Sequence, residues 1–543
     1  MTRHGLLQGR GFELGPRASR YPMPDRSLVR LLRDQAEAYG SKDWIVFDGE
    51  RHLGYLEAWR MTCRVGHALD RDLGPGAHVG LLMRNQPEFM PSFFGAQVRG
   101  GVVVPFNADS RGPLLRAVIE HSEVQILIAR TDHFDRLTDL ENLAGVRRVV
   151  AVGEGEAPER IGDVPVVRWD EWLEGTSAEH TWELPRFDDM ALIQYTSGTT
   201  KLPKGVVYPH HFLYLYSAMC TDSQERTEDD VLTCPMPLFH VAALHLVANS
   251  ALHVGCTAHL KSRFSASRYW QQCAEDGATW SIILGPMATM IDKMTGDEVP
   301  EHRVRRIYCP PPPPNHAELS ERWGIQIVWH GFGMTEIYPM PMVADQREGL
   351  PLDTIGMPVT WMQYGVVDDD DVMLPPGEVG EIVFRPELPQ AMVREYFRDP
   401  ALTVETFRNF MFHTGDLGYY DEEGLLHFLS RKQERIRRRG ENVSAPELEW
   451  LAVRHDGVLE AAAYGVPSEL GEEEVKLDYV AAGDLEPAEL HAWLRENAPR
   501  FMVPRYLEAC GSFPKTPSER IEKYKLLQRG LERPEVFDAE GDR

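Results

Sequence analysis

No two of the seven cysteines form a CxxC pair, and their odd number argues against a disulfide framework. Cys63, Cys220, Cys234, Cys256, Cys273, Cys309 and Cys510 are scattered, without the His/Cys spacing of a structural zinc site. A reducing cytoplasm is the compartment this cysteine usage implies. Long apolar runs are also lacking: none approaches the roughly 20 residues of a membrane span. The opening segment, MTRHGLLQGRGFELGPRASRYPMPDRS, has scattered charge and reads as no signal peptide. Positive charge is scarce, with 57 Lys and Arg against 83 Asp and Glu and a net charge of −26. That balance opposes nonspecific binding to nucleic acid or to an anionic membrane surface. It leaves room for a nucleotide in a locally positive cleft.

What is present is a soluble globular composition, 43% hydrophobic and 26% charged, over 543 residues. That length suggests several structural units. Residues 28–40 pattern as an amphipathic helix closed by Gly40, followed by the strand-like run WIVFD. Apolar runs HVGLL, VVVPFN, VQILIAR and VRRVVAVG alternate with helical stretches, the pattern of parallel sheets covered on both faces. CPPPPPNH at 309–316 is barred by its prolines from a helix or a central strand. DDDDVMLPPGEVGEIVFRP at 368–386 reads as part of a small β subdomain. Beyond residues 430–433 the texture changes, which places an N-terminal domain at 1–430 and a compact α+β domain at 431–543. The fold class expected is therefore α/β, with a large N-terminal domain of doubly wound sheets, a small β subdomain and a small C-terminal α+β domain.

The most informative stretch is YTSGTTKLPKGV at 195–206, which follows the apolar strand ALIQ. A loop rich in glycine, serine and threonine after a strand can turn backbone N–H groups and hydroxyls toward phosphate oxygens, and Lys204 adds a point charge. The spacing is not the GxxxxGK[ST] of a Walker loop.

This stretch resembles the signature loop of adenylate-forming enzymes, the superfamily of acyl-CoA synthetases, luciferases and peptide-synthetase adenylation domains. Four further segments resemble that superfamily's motifs in the expected order: PLFH at 237–240, HGFGMTE at 330–336, HTGDLGYYDEEGLLHFLSRKQERIRRRGENVSAPELE at 413–449 and PKTPSERIEKYKL at 514–526. The RRRGENVSAPELE segment is most similar to the carnitine and medium-chain acyl-CoA ligase branch.

The resemblance implies ATP, Mg²⁺ and, as probable co-substrate, CoA. It assigns Thr196, Ser197, Gly198, Thr199, Thr200 and Lys204 to the β- and γ-phosphates and Thr335 to the α-phosphate. Glu336 would hold Mg²⁺, a hard cation that takes carboxylate oxygen. Phe332 would lie against adenine, with Gly333 also in the nucleotide site. Asp416, an acceptor-only group, would take both ribose hydroxyls, and Arg431 would reach ribose or phosphate from the hinge. His240 would gate the acyl channel or be a buried structural histidine. Arg435, Arg437, Arg438 and Arg439 read as solvated or near a CoA phosphate.

The sequence departs from the superfamily pattern in four places. Lys201 replaces a glycine, with either a pyrophosphate contact or plain solvent exposure as its role. Pro312 and Pro313 replace small residues beside the adenine and acid pocket, and each removes an N–H and fills space. Gln433 stands at the hinge in place of aspartate or lysine. Arg520 takes the place of the catalytic lysine, with Lys515 and Lys523 as nearby substitutes. Arginine keeps the charge but offers a wider planar fork. The catalytic set expected is thus Arg520, Thr335, Glu336 and His240.

The function implied is an ATP-dependent, AMP-forming ligase that makes an acyl-adenylate and passes it to an acceptor, CoA first. A second reading is a specialised relative with an amine acceptor, such as a nitrite-activating diazotase of secondary metabolism, with a pocket narrowed by prolines and by Trp280 or Trp329. A third is an impaired nucleotide-binding relic. The acid, the acceptor and the oligomeric state are open at this level.

Overall fold

The structure, a computed structural model, describes residues 5–140, 143–196, 203–295, 299–310, 312–313, 315–340, 354–432, 435–438, 441–467, 473–498, 502–515, 521–531 and 533–540. Ser197, Gly198, Thr199, Thr200, Lys201, Gln433, Arg439 and Arg520 therefore lie outside the described residues.

The first helix runs Leu28–Tyr39. The Ser27 hydroxyl accepts the Arg30 N–H at its start, and Gly40 ends it at φ 54°. A hydroxyl cap satisfies one of the orphan N–H groups, and glycine tolerates the left-handed exit. Its buried face, with Leu28, Leu31 and Leu32, packs into the main core.

The parallel runs expected from the sequence form a nine-stranded sheet. Its order is 395–396, 204–209, 190–196, 102–105, 78–82, 124–130, 148–152, 164–168 and 160–161. Alternate residues of a strand serve different cores. Val103, Ile126 and Ile128 join the main core with helices Tyr55–Asp72 and Phe89–Val98. Val102, Val104, Leu127 and Ala129 join a second core with helix Gly112–Ser122. A strand covered on both faces has no polar side to present, which is why VQILIAR reads as a nearly continuous apolar run.

A seven-stranded sheet, in the order 326–328, 306–308, 280–282, 231–234, 257–260, 43–47 and 51–54, lies beside it. A six-stranded sheet is built from Leu7–Gln8, Met362–Val367, Gly380–Pro386, Phe412–Tyr420, Leu426–Arg431 and Thr354–Gly356, with all its pairs antiparallel. The β subdomain is thus larger than the 368–386 stretch alone announced: it recruits the N-terminal strand and both strands of the 412–431 hairpin. Local pattern cannot show such pairing, because its partners lie tens to hundreds of residues apart.

The C-terminal part has its own core. A hairpin of Arg435–Arg438 and Glu441–Ser444 precedes a four-stranded sheet of Val458–Pro467, Glu473–Ala481, Tyr506–Cys510 and Val536–Asp538. Leu477, Leu490, Leu494 and Leu507 are buried within that core. All seven cysteines are free thiols, and no helix among the described residues is long and apolar enough to cross a membrane.

Candidate active site

Three chain segments meet where the nine-stranded and six-stranded sheets adjoin. The first is the hairpin of strands Met190–Thr196 and Lys204–Pro209, whose antiparallel register sets Thr196 directly opposite Lys204. The glycine-rich loop spans the end of this hairpin, so both flanks of the loop are placed even though Ser197–Thr200 are not described. A hairpin end is a sound mount for an anion-binding loop, because the paired strands fix both ends of the loop.

The second segment is 332–336, after the last strand of the seven-stranded sheet. Tyr208, in the second hairpin strand, donates its hydroxyl to the Thr335 carbonyl, tying the two segments together. Tyr396, on the edge strand beside Lys204–Pro209, donates to Glu336 Oε1 at 2.9 Å. The Val393 N–H reaches the Glu336 carbonyl at 3.1 Å. The Lys204 ammonium stands 5.6 Å from the centre of the same Tyr396 ring. Burial pushes the Glu336 carboxyl above the usual carboxylate range, and the Tyr396 hydrogen bond, Lys204 and Arg431 pull it back toward the charged form. The two cations thus favour the ionised carboxylate that burial opposes.

The third segment is the 412–431 hairpin, in which Asp416 pairs in register with Arg431. Arg431 Nε lies 3.6 Å from Asp416 Oδ1; the Asp416 side chain is buried and that of Arg431 is largely open. Arg431 acts electrostatically on Glu336 and pairs with Asp416, so it links the two carboxylates of the site. Lys204, Glu336, Asp416 and Arg431, far apart in the sequence, are thereby brought near one another, with Thr335 tied in through Tyr208.

Other expected residues stand differently. Phe332 is buried, bridges Met340 through the backbone and places its ring 5.9 Å from Phe384. It belongs to the main core as much as to any ligand face. Gly333 leaves no room for a side chain: a Cβ there would stand 2.3 Å from the Tyr338 ring, so its glycine is a packing requirement. The His240 ring lies 4.7 Å from Phe239, and the backbone N–H of His240 donates to the Pro237 carbonyl at 3.0 Å. Of the two tryptophans expected to narrow the acid pocket, Trp329 packs between His316 and His330, with ring centres at 4.3 and 4.7 Å. Trp280 sits inside the seven-stranded sheet, stacked at 3.7 Å on the buried Arg226 guanidinium, and is a core residue. Pro313 is buried and its carbonyl accepts from the His316 ring at 3.2 Å.

Arg438 corrects the reading of the arginine run as solvated or phosphate-facing. It is buried, ion-paired to Glu474 at 2.6 Å, and it donates to the Val503 carbonyl at 2.6 Å. The two lysines weighed as substitutes for Arg520 are engaged within the C-terminal part: Lys515 with Glu460 at 2.9 Å and Lys523 with Glu449 at 2.7 Å. Sequence reasoning missed Tyr208 and Tyr396. Neither lies in a motif quoted from the sequence, and no local signal marks a tyrosine that reaches across a sheet.

A hairpin that carries a Gly/Ser/Thr-rich segment, a dry carboxylate beside cations and a buried acceptor on a Thr-Gly-Asp turn are set on a large α/β domain with a smaller C-terminal one, the architecture of adenylate-forming enzymes. The chain belongs to the AMP-binding enzyme family: residues 32–397 match the AMP-binding enzyme model and 447–520 its C-terminal domain. It is 28% identical over 516 residues to a crotonobetaine/carnitine–CoA ligase of Citrobacter koseri, covering 92% of this chain and 99% of that protein. The corresponding ligase of Proteus mirabilis is 28% identical over 515 residues, covering 92% and 98%. Among solved structures, the anthranilate CoA ligase AuaEII in complex with anthranoyl-AMP superposes with a TM-score of 0.82 at 21% identity, covering 94% of this chain and 98% of that one. ATP-bound MatB from Rhodopseudomonas palustris does so at 0.78 and 23%, covering 93% and 99%. The protein is an AMP-forming, acyl-CoA synthetase-like enzyme.

Proposed function

We propose that the protein activates a carboxylic acid with ATP, releasing pyrophosphate, and passes the acyl group from the adenylate to the thiol of CoA in the cytoplasm. The observation that carries this reading is the convergence of Lys204 and Arg431 on Glu336, with Asp416 paired to Arg431. Lys204 and the loop that it closes would hold the β- and γ-phosphates of ATP, and Asp416 would accept from the ribose hydroxyls. The Glu336 carboxylate fits Mg²⁺: it is a hard oxygen donor, buried, and held at one oxygen by Tyr396. Among the described residues no group of three His, Cys, Asp or Glu could cage a metal. That suits Mg²⁺, which is usually bound by one or two carboxylates together with substrate phosphates. The bound ion would neutralise charge on the phosphates during transfer.

In the first half-reaction a carboxylate oxygen of the acid attacks the α-phosphorus, and pyrophosphate leaves. Arg520, in the family's lysine position, would bridge acid and α-phosphate. In the second, the CoA sulfur attacks the acyl carbon and AMP leaves. The domain from residue 431 would turn about Gln433 between the two, bringing Gly440–Asn442 to the thiol. Behind Thr335–Glu336 the space is taken by rings: Tyr338 stacks on Tyr216 at 4.2 Å, and Trp329, His316 and His330 form a second group. These rings favour a short or aromatic acid over a long-chain one. Both curated relatives and the fold neighbour AuaEII are acid–CoA ligases by name, which favours CoA over an amine acceptor.

The test is AMP formation across a panel of short, aromatic and long-chain acids, with CoA and nitrite varied separately. AMP formed only with a short or aromatic acid, and thioester formed only when CoA is added, is the expected result. Turnover that needs nitrite and an arylamine but not CoA would replace this reading.

The Tyr396 hydroxyl offers a finer test. Its hydrogen bond favours the charged form of Glu336, so Tyr396→Phe should raise that carboxyl further. Cation-dependent ATP binding, followed by calorimetry from acid to neutral pH, should then fail at a higher pH than in the unaltered protein. An acid limb that does not move would detach Tyr396 from the site's chemistry.

A further inference from the structure

Beneath the Thr-Gly-Asp turn lies a buried carboxylate that no motif assignment covers. Glu381 stands on strand Gly380–Pro386, next to the strand that carries Asp416. Its Oε1 accepts the Gly415 N–H at 2.9 Å. Its Oε2 accepts from Arg408 Nη2 at 3.1 Å and from His413 Nδ1 at 3.3 Å, and stands 3.7 Å from Lys432 Nζ. The side chain is 6% exposed.

Gly415 is the residue immediately before Asp416 and sits at φ 71°, a left-handed conformation that an isolated peptide adopts only as one of many. Three hydrogen bonds hold the turn in that shape. Thr414 Oγ1 donates to the Ile382 carbonyl at 2.8 Å and accepts the Asp416 N–H at 3.0 Å, and Glu381 takes the Gly415 N–H. The charge on Glu381 is well secured: burial, which would raise its carboxyl, is outweighed by His413, the Gly415 N–H and Lys432, and the group is held at about 2. Arg408 is fixed in turn by Asp371, 3.0 Å from its Nε, and Asn409 Nδ2 donates to Asp371 at 2.8 Å.

We propose that Glu381 is a positioning residue for nucleotide recognition: through the Gly415 N–H it sets the backbone of the turn so that the Asp416 carboxylate faces the ribose. Its four cationic and amide contacts lock its own rotamer, so the orientation passes from Arg408, His413 and Lys432 to Gly415 and then to Asp416. This rests on Asp416 reading the ribose, and it adds the residue that aims it. A small misplacement of a binding group is enough to matter; about 1 Å can cost on the order of 100-fold in rate.

The test measures Kd for Mg·ATP and for Mg·2′-deoxy-ATP by calorimetry on the full chain. The ratio of the two constants does not depend on the fraction of folded protein. The unaltered protein is expected to prefer ATP by about 10-fold or more, the scale of a hydrogen bond to a charged acceptor. Glu381→Met, which removes both oxygens, should bring the ratio to within about 3-fold of unity. Glu381→Gln, which keeps an acceptor for the Gly415 N–H, should retain most of the preference. Should Glu381→Met not be recovered folded, Glu381→Asp carries the same test, since it keeps the charge but withdraws the carboxylate by one methylene. A ratio unchanged in Glu381→Met or Glu381→Asp overturns the proposal, as does Glu381→Gln losing as much as Glu381→Met. The underlying reading fails separately: it falls if the unaltered protein and Asp416→Asn both bind the two nucleotides alike.

Discussion

Glu336→Gln is expected to give a protein that is more stable and nearly inactive. Burial raises the Glu336 carboxyl above its unfolded value, so folding this group costs stability wherever the unfolded carboxyl is ionised. The sign follows from proton uptake. The native state binds the proton more tightly than the unfolded state, so the group favours folding at acid pH, and that advantage is lost as pH rises. A neutral isostere removes the cost. The thermal midpoint of Glu336→Gln without ligand should therefore exceed that of the unaltered protein at pH 8, and the two should converge at acid pH, where the native carboxyl is itself protonated. Tyr396 can still donate to the amide oxygen, so packing is preserved. The rate of AMP formation should fall roughly 100- to 1000-fold, the scale seen when a fixed charge-stabilising group is removed from a reacting centre. Equal midpoints at pH 8 would mean that the charge is fully compensated in the folded state. An unchanged rate would remove Glu336 from the chemistry.

Arg520→Ala is the second large effect. The departure from the family's lysine matters only if the guanidinium performs the lysine's task. Loss of that charge should slow pyrophosphate release in the first half-reaction by about 100-fold or more. Thioester formation from adenylate supplied directly should change little, because the charge is needed for attack at phosphorus and not for attack at the acyl carbon. Arg520→Lys should lie well above Arg520→Ala, since it restores a cation on a narrower head. Single-turnover assays with and without CoA separate the steps. Lys515 and Lys523 are already paired to Glu460 and Glu449, which favours Arg520 as the reacting cation. Undiminished pyrophosphate release in Arg520→Ala would show that the assignment is wrong.

Much of the site was legible because the chemistry is concentrated in short motifs. TSGTTKLPKG carries donors at fixed spacing, Glu336 closes the run HGFGMTE and Asp416 closes HTGD. Helix Leu28–Tyr39 and the strands of the nine-stranded sheet were visible as periodic or continuous apolar runs. The supporting residues were not. Tyr208, Tyr396 and Glu381 have no local signature, because each acts on a residue at least 32 positions away: Tyr208 on Thr335, Tyr396 on Glu336, Glu381 on His413. Trp280 looked like a pocket residue and is sheet core; Arg438 looked solvated and is buried against Glu474. An aromatic or a basic residue in isolation says nothing of which face it will occupy.

The sequence by itself determined the class of enzyme: it holds donors of the kind that suit phosphate, a carboxylate of the kind that suits a hard cation and an acceptor of the kind that suits ribose, set on an α/β framework. Those are properties of side-chain type and spacing along a few residues, and they survive without knowledge of distant partners. Only the tertiary structure decided how the groups are tuned. It buried Glu336 between Tyr396, Lys204 and Arg431, paired Asp416 with Arg431, and slid Glu381 under Gly415. The physical reason is that desolvation and charge pairing depend on which surfaces meet. In this fold they meet along sheet pairings whose partners lie tens to hundreds of residues apart.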